Sequence, residues 1–174
     1  VQRGYQDRYG FQRLFLRYSW SYKTNYIALS WKLLPKDWDQ KTQTVKPRAT
    51  LGGETAAIVK HLTGLGLTRI GVFYQNDAYG KAGLDGMTLA LSALGLKPVA
   101  QATVERNSVD VANAVATLNA AMPQAVVQIS AYKSCAAYIR AARKGGYGGT
   151  FYNVSFVGTQ ALADELGKDG AGVV

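Results

Sequence analysis

Residues 69–83, RIGVFYQNDAYGKAG, set the pattern that restricts this chain most. Ile70, Val72 and Phe73 form a dense apolar run rich in β-branched and aromatic side chains, which reads as a buried parallel strand. The run stops at Gln75, Asn76 and Asp77, residues that favour turns through side-chain bonds to the local backbone. Leu84, Met87, Leu91 and Leu94 then follow at helical spacing, on a helix expected at about 79–95. The same beat recurs downstream. Lys97–Val104 reads as a strand, and Ser108 and Asp110 stand where they can cap a helix carrying Val111, Val115 and Leu118. Ala125–Ile129 is a third strand, followed by a helix over Tyr132–Lys144 with Cys135, Ile139 and Ala142 inward. Arg140, Arg143 and Lys144 suit the negative end of its dipole, and Gly145–Gly146 ends it. Thr150–Val154 is a fourth strand, Leu162–Leu166 a short helix, and Gly172–Val174 the start of another strand. Strands alternating with helices imply an α/β fold: an open, mostly parallel sheet with flanking helices and right-handed crossovers.

Upstream the register changes. From Glu54 the pattern is helical, with Ile58, Leu62 and Leu65 on one face and Gly64 and Gly66 at its end. Residues 13–33 instead alternate: Leu16, Tyr18, Trp20 and Tyr22 on one side, then Ile27, Leu29, Trp31 and Leu33. Pairing Tyr22 with Ile27 sets Trp20 against Leu29 and Tyr18 against Trp31, so a β-hairpin is expected. All three tryptophans lie before residue 50, and the net charge of +9 divides into +7 over residues 1–50 and +2 over the rest. Two domains are therefore expected: an aromatic, basic hairpin segment at 1–47 and an α/β lobe at 48–174.

Several function classes lose support on the same residues. There is no run of eighteen apolar residues, hence no expected transmembrane helix. The first residues carry charges rather than an apolar leader core, which fits a removed leader or an unnatural start. The alternating hairpin resembles a piece of an outer-membrane barrel, but two strands cannot close one. Basic and aromatic residues interleave there as they do in nucleic-acid binders, yet no helix-turn-helix or zinc spacing accompanies them, and no nucleic-acid partner is expected. Gly80, Gly83 and Gly86 follow a strand, but their G-x-x-G-x-x-G spacing is neither a dinucleotide fingerprint nor a P-loop; close helix packing is expected instead. Cys135, the single cysteine, sits on an inward helix face and reads as core. His61, the single histidine, flanks a helix face with no partner pattern. No catalytic triad or metal-ligand cluster is present, so neither an enzyme nor a metal or cofactor site is expected.

What converges is a set of polar and aromatic groups at three strand ends. The first loop offers Gln75, Asn76, Asp77 and Tyr79; the third strand ends at Ser130, with Tyr132 and Ser134 opening the next helix; the fourth runs into Asn153, Ser155 and Phe156. In a parallel sheet these ends lie on one edge, where ligands of open α/β sheets bind. Asn76, Ser130 and Ser134 also suit capping or turn formation. Tyr79 and Tyr132 each combine a stacking face with a hydroxyl at a helix start, which suits a small-molecule site.

The stretches RATLGGETAAIVKHL (48–62), RIGVFYQNDAYGKAGLDG (69–86), AYIRAARKGGYGGTFYN (137–153) and GAGVV (170–174) resemble the periplasmic substrate-binding proteins of ABC importers, of the leucine/isoleucine/valine-binding type. The resemblance implies one lobe of a two-lobed type I fold, a small-molecule ligand such as an amino acid or related organic acid or amide, importer membrane subunits as partners of a full-length form, and a periplasmic location. Tyr79 matches a family tyrosine that touches ligand, and Tyr132 lies at or next to a second such position. Ser155 falls where amino-acid binders often carry an acidic residue. With Asn76 and Ser130 these complete the expected ligand-binding set. Residues 1–47 carry none of the family's first lobe, so a truncated or fused product is expected. The sensing domain of a regulator, which can share this fold, is the alternative.

Overall fold

A computed structural model describes the backbone of residues 12–20, 23–33, 38–39, 44–45 and 47–174, with side chains described from Leu51 onward. The chain divides into two compact units, Val1–Thr50 and Leu51–Val174.

In the first unit, β1 (Gln12–Trp20) and β2 (Lys23–Leu33) pair antiparallel, and β3 (Trp38–Asp39) pairs with β4 (Thr44–Val45). The hairpin forms, but not in the expected register. Trp20 stands opposite Lys23 rather than Leu29, Tyr18 opposite Asn25 rather than Trp31, and Leu16 opposite Ile27, with a register shift between Arg13 and Phe15. The expected partner of Ile27, Tyr22, lies outside the described residues. Two features explain the difference. A two-residue connection is the commonest way to close a hairpin, whereas the expected register needs a longer one. Moving the partner of Trp20 from 29 to 23 is also an even shift, so the alternation of sides is the same in both registers and does not select between them.

The second unit begins within α1 (Pro47–Gly64) and continues through β5 (Ile70–Gln75), α2 (Ala78–Ser92), β6 (Ala100–Val104), α3 (Ala112–Ala121), β7 (Ala125–Ile129), α4 (Tyr132–Lys144), β8 (Thr150–Asn153) and α5 (Thr159–Leu166). The four strands form a parallel sheet in the order β6-β5-β7-β8. Burial follows position in that order. Every residue of β7 is buried and β5 nearly so, while β6 alternates, as an outer strand exposed on one face should. The expected strand at Gly172–Val174 is limited to one parallel bridge, Phe151 to Val173.

On one face, Phe73 of β5 stacks on Tyr138 of α4 at 4.4 Å between ring centroids, and Tyr138 meets Phe151 of β8 edge-on at 6.1 Å. On the other face α2 lies close to both the sheet and α1. A Cβ on Gly83 would stand 2.6 Å from Ile129 Cγ2, and one on Gly86 2.5 Å from Thr55 Oγ1. The glycine spacing thus serves close helix packing. Two expected apolar faces need adjusting at their ends. Leu65 and Leu94 lie past the last residues of α1 and α2 and are 59% and 55% exposed. The buried stripe of α1 is Leu51, Thr55, Val59 and Leu62. Val111, not Ser108 or Asp110, occupies the N-cap of α3; Asp110 Oδ1 accepts from the Ala112 N–H at 3.4 Å, and Ser108 Oγ from the Asp110 N–H at 3.1 Å.

Candidate functional site

Strand order fixes where a crevice must open. From β5 the chain steps outward to β6, then returns past β5 to β7 and on to β8. With right-handed crossovers, the connections leaving β5 and β7 run over opposite faces of the sheet. Their carboxyl ends therefore part, which is the switch point where open α/β sheets bind ligands. The loop Gln75–Tyr79 and the segment Ser130–Tyr132 flank that point.

The β5 loop is held by its own polar groups. Asp77 caps α2, its Oδ1 accepting from the Gly80 N–H at 2.9 Å and its Oδ2 from Gln75 Nε2 at 2.5 Å. Burial alone would raise the Asp77 pKa. The hydrogen bonds from Gly80, Gln75 and the Tyr79 backbone, with the Arg106 charge, outweigh it and hold the carboxyl below its ordinary value. The turn is so tight that a Cβ on Gly80 would lie 1.9 Å from the Gln75 carbonyl oxygen. Asn76 is tied outward: its Nδ2 donates to Glu105 Oε1 at 2.7 Å and its N–H to the Val104 carbonyl at 2.8 Å. It joins the ends of β5 and β6.

Tyr79 is different. Its ring packs on Phe156 at 4.6 Å, and its hydroxyl is buried with no hydrogen-bond partner among the described residues. Burial, then the charge of Glu54, raise its pKa, so the phenol keeps its proton and remains a donor at neutral pH. Across the crevice, fully buried Ser130 also leaves its Oγ unpartnered. Such groups are uncommon because each costs about 1–3 kcal/mol. Tyr132, the first residue of α4, is half-buried against the core, with Lys133 Nζ 6.0 Å from its ring centroid. Ser155 Oγ donates to Glu54 Oε1 at 2.5 Å and its N–H to Glu54 Oε2 at 3.2 Å. Ser134 Oγ donates to the Ser108 carbonyl at 2.6 Å, a structural tie.

Of the expected site residues, Tyr79 and Ser130 thus carry free hydroxyls toward the switch point, Tyr132 offers a half-buried ring, and Asn76 and Ser155 are engaged by glutamates. Glu54 is a participant that the sequence did not reveal. It lies 101 positions from Ser155, and no local spacing links them. Cys135 is fully buried, and burial raises its thiol pKa, which makes it a poor nucleophile. His61 is exposed, with its ring centroid 5.8 Å from that of Tyr152. Among the described residues no group of three or more His, Cys, Asp or Glu is placed to hold a metal, and no helix is long and apolar enough to cross a membrane.

The family model described as periplasmic binding protein matches residues 21–174. The chain belongs to the periplasmic binding protein family. The match begins inside the amino-terminal hairpin, upstream of the residue-48 start set by the quoted motifs. Among solved structures, a possible leucine/isoleucine/valine-binding protein from Rhodopirellula baltica SH 1 is 33% identical with a TM-score of 0.68, covering 71% of this chain and 35% of that one. A substrate-binding periplasmic protein from Ralstonia solanacearum is 31% identical with a TM-score of 0.67, covering 70% and 35%. An extracellular ligand-binding receptor from Rhodopseudomonas palustris HaA2 is 25% identical with a TM-score of 0.66, covering 75% and 35%. The chain thus spans about a third of the length of the structures it matches. No curated protein matches it by sequence. The four-stranded parallel sheet and its helices are one lobe of the type I periplasmic binding protein fold.

Proposed function

We propose that residues 48–174 form one wall of a small-molecule site in the substrate-binding component of an ABC importer, working in the periplasm, with an amino acid or related organic acid or amide as ligand. The observation that carries this reading is the pair of buried, unpartnered hydroxyls, Tyr79 and Ser130, flanking the switch point of a binding-protein lobe. A ligand polar group would give both hydroxyls partners, and the Tyr79, Phe156 and Tyr132 rings would cover its apolar part. Asn76 and Ser155 would act at the margins, through the glutamates that hold them.

The edge is open: Phe156 remains 65% exposed although it packs on Tyr79. Bonds made there compete with water and contribute about 0.5–1.5 kcal/mol each. The 174-residue chain should therefore bind small amino acids with a Kd on the order of millimolar or weaker. A form that adds a facing lobe should bind far more tightly, and should lose affinity when Tyr79 or Tyr132 becomes Ala. Calorimetry with a panel of amino acids and aromatic acids tests this. Micromolar binding by the 174-residue chain, or unchanged affinity in both variants of the two-lobed form, would contradict it.

A further inference from the structure

We propose that Glu54, Tyr79, Ser155 and Phe156 form a subsite for an organic ammonium group, so that the ligand of this lobe carries an amine. The inference rests on the small-molecule reading above and adds the chemistry of one end of the ligand.

Four observations converge on it. First, the Glu54 carboxylate is fixed at the sheet edge: both oxygens accept from Ser155, one from Oγ at 2.5 Å and one from the backbone N–H at 3.2 Å. Each oxygen keeps a further lone pair for another donor. Second, those bonds come from neutral donors. The ion pairs among the described residues are Arg140 with Glu165 and Arg140 with Asp169, on α4 and beyond, so the Glu54 charge is not neutralised there. Third, an aromatic wall stands beside the carboxylate. Phe156 follows Ser155 directly, keeps most of its face open to solvent, and packs on Tyr79 at 4.6 Å. Ring faces attract cations and repel carboxylates. Fourth, the Glu54 charge reaches the Tyr79 phenol and helps to keep it protonated. A fixed carboxylate beside an exposed ring favours an alkylammonium group over a neutral or anionic one. Salt bridging and cation–π attraction act on the same group, whereas a carboxylate placed there meets like charge. The carboxyl or amide end of such a ligand would lie toward the Tyr79 and Ser130 hydroxyls.

Three probes sharing one branched alkyl tail separate the possibilities: 3-methylbutylamine, leucine and 4-methylpentanoate, each titrated into the 174-residue chain and followed by NMR. The amine and leucine should shift the resonances of Glu54, Tyr79, Ser155 and Phe156, and 4-methylpentanoate should bind more weakly than leucine. Glu54→Gln keeps the acceptor for Ser155 and removes the charge. It should weaken the amine and leucine about fivefold and leave 4-methylpentanoate unchanged. Phe156→Leu keeps the apolar bulk and should weaken the amine about threefold, which tests the same subsite independently of Glu54. If the probes bind at this edge but both variants bind the amine as the parent does, the ammonium subsite is wrong and the small-molecule reading stands. If none of the three probes shifts the edge residues, the small-molecule reading is wrong and the subsite falls with it.

Discussion

The centre of the sheet's carboxyl edge and its margins treat polar groups in opposite ways. At the margins, Asn76 donates to Glu105 and Ser155 to Glu54, so each neutral side chain is fixed by a carboxylate from another element. At the centre, the hydroxyls of Tyr79 and Ser130 are removed from water and left without partners. Folding alone favours the first arrangement and disfavours the second. The difference teaches that the margins are built to hold the edge in shape, while the centre keeps bonding capacity that the fold does not use.

The largest expected effect comes from disturbing what aims Tyr79. Its neighbour Gly80 has no space for a Cβ, and the obstacle is the Gln75 carbonyl oxygen rather than a flexible side chain. Gly80→Ala should cost about 3 kcal/mol in urea unfolding, because the turn must move. If it costs nothing, Tyr79 is not held by the turn and the centre is less rigid than described.

A smaller effect comes from Asp77, which caps α2 between margin and centre. Asp77→Ala should cost about 1 kcal/mol. The folded pKa is lowered, so the stability supplied by the ionised carboxylate is fully present above the unfolded value of about 3.9 and is lost as pH falls through the folded value. Asp77→Asn keeps a good cap without the charge. Its stability deficit at pH 7 should close as pH drops below about 4, which urea unfolding across that range will show. A deficit independent of pH would mean that the charge contributes nothing.

Much of this was legible in the residues, for physical reasons that also mark the limits. Strand and helix positions followed from apolar periodicity because the β5 and β7 runs are buried on both faces and α4 on one. The hairpin register was not legible, because side-chain alternation is unchanged by an even shift and only the economy of the turn separates the two pairings. Leu65 and Leu94 continued a helical spacing beyond helices that had already ended, where sequence spacing alone cannot register the stop. At the site, the turn chemistry of Gln75–Asp77 and the strand-end position of Ser130 were visible locally. The bond between Glu54 and Ser155 depends on α1 meeting the end of β8, a tertiary contact with no local trace.

Urea unfolding of Tyr79→Phe beside Asn76→Ala tests most directly the claim that the centre's hydroxyls are not needed by the fold. Removing a buried, unpartnered hydroxyl should leave stability unchanged or raise it by about 1 kcal/mol, whereas Asn76→Ala should lower it by about 0.5–1 kcal/mol through the lost bond to Glu105. A loss of 1 kcal/mol or more in Tyr79→Phe would show that the phenol has a structural partner and would contradict the account.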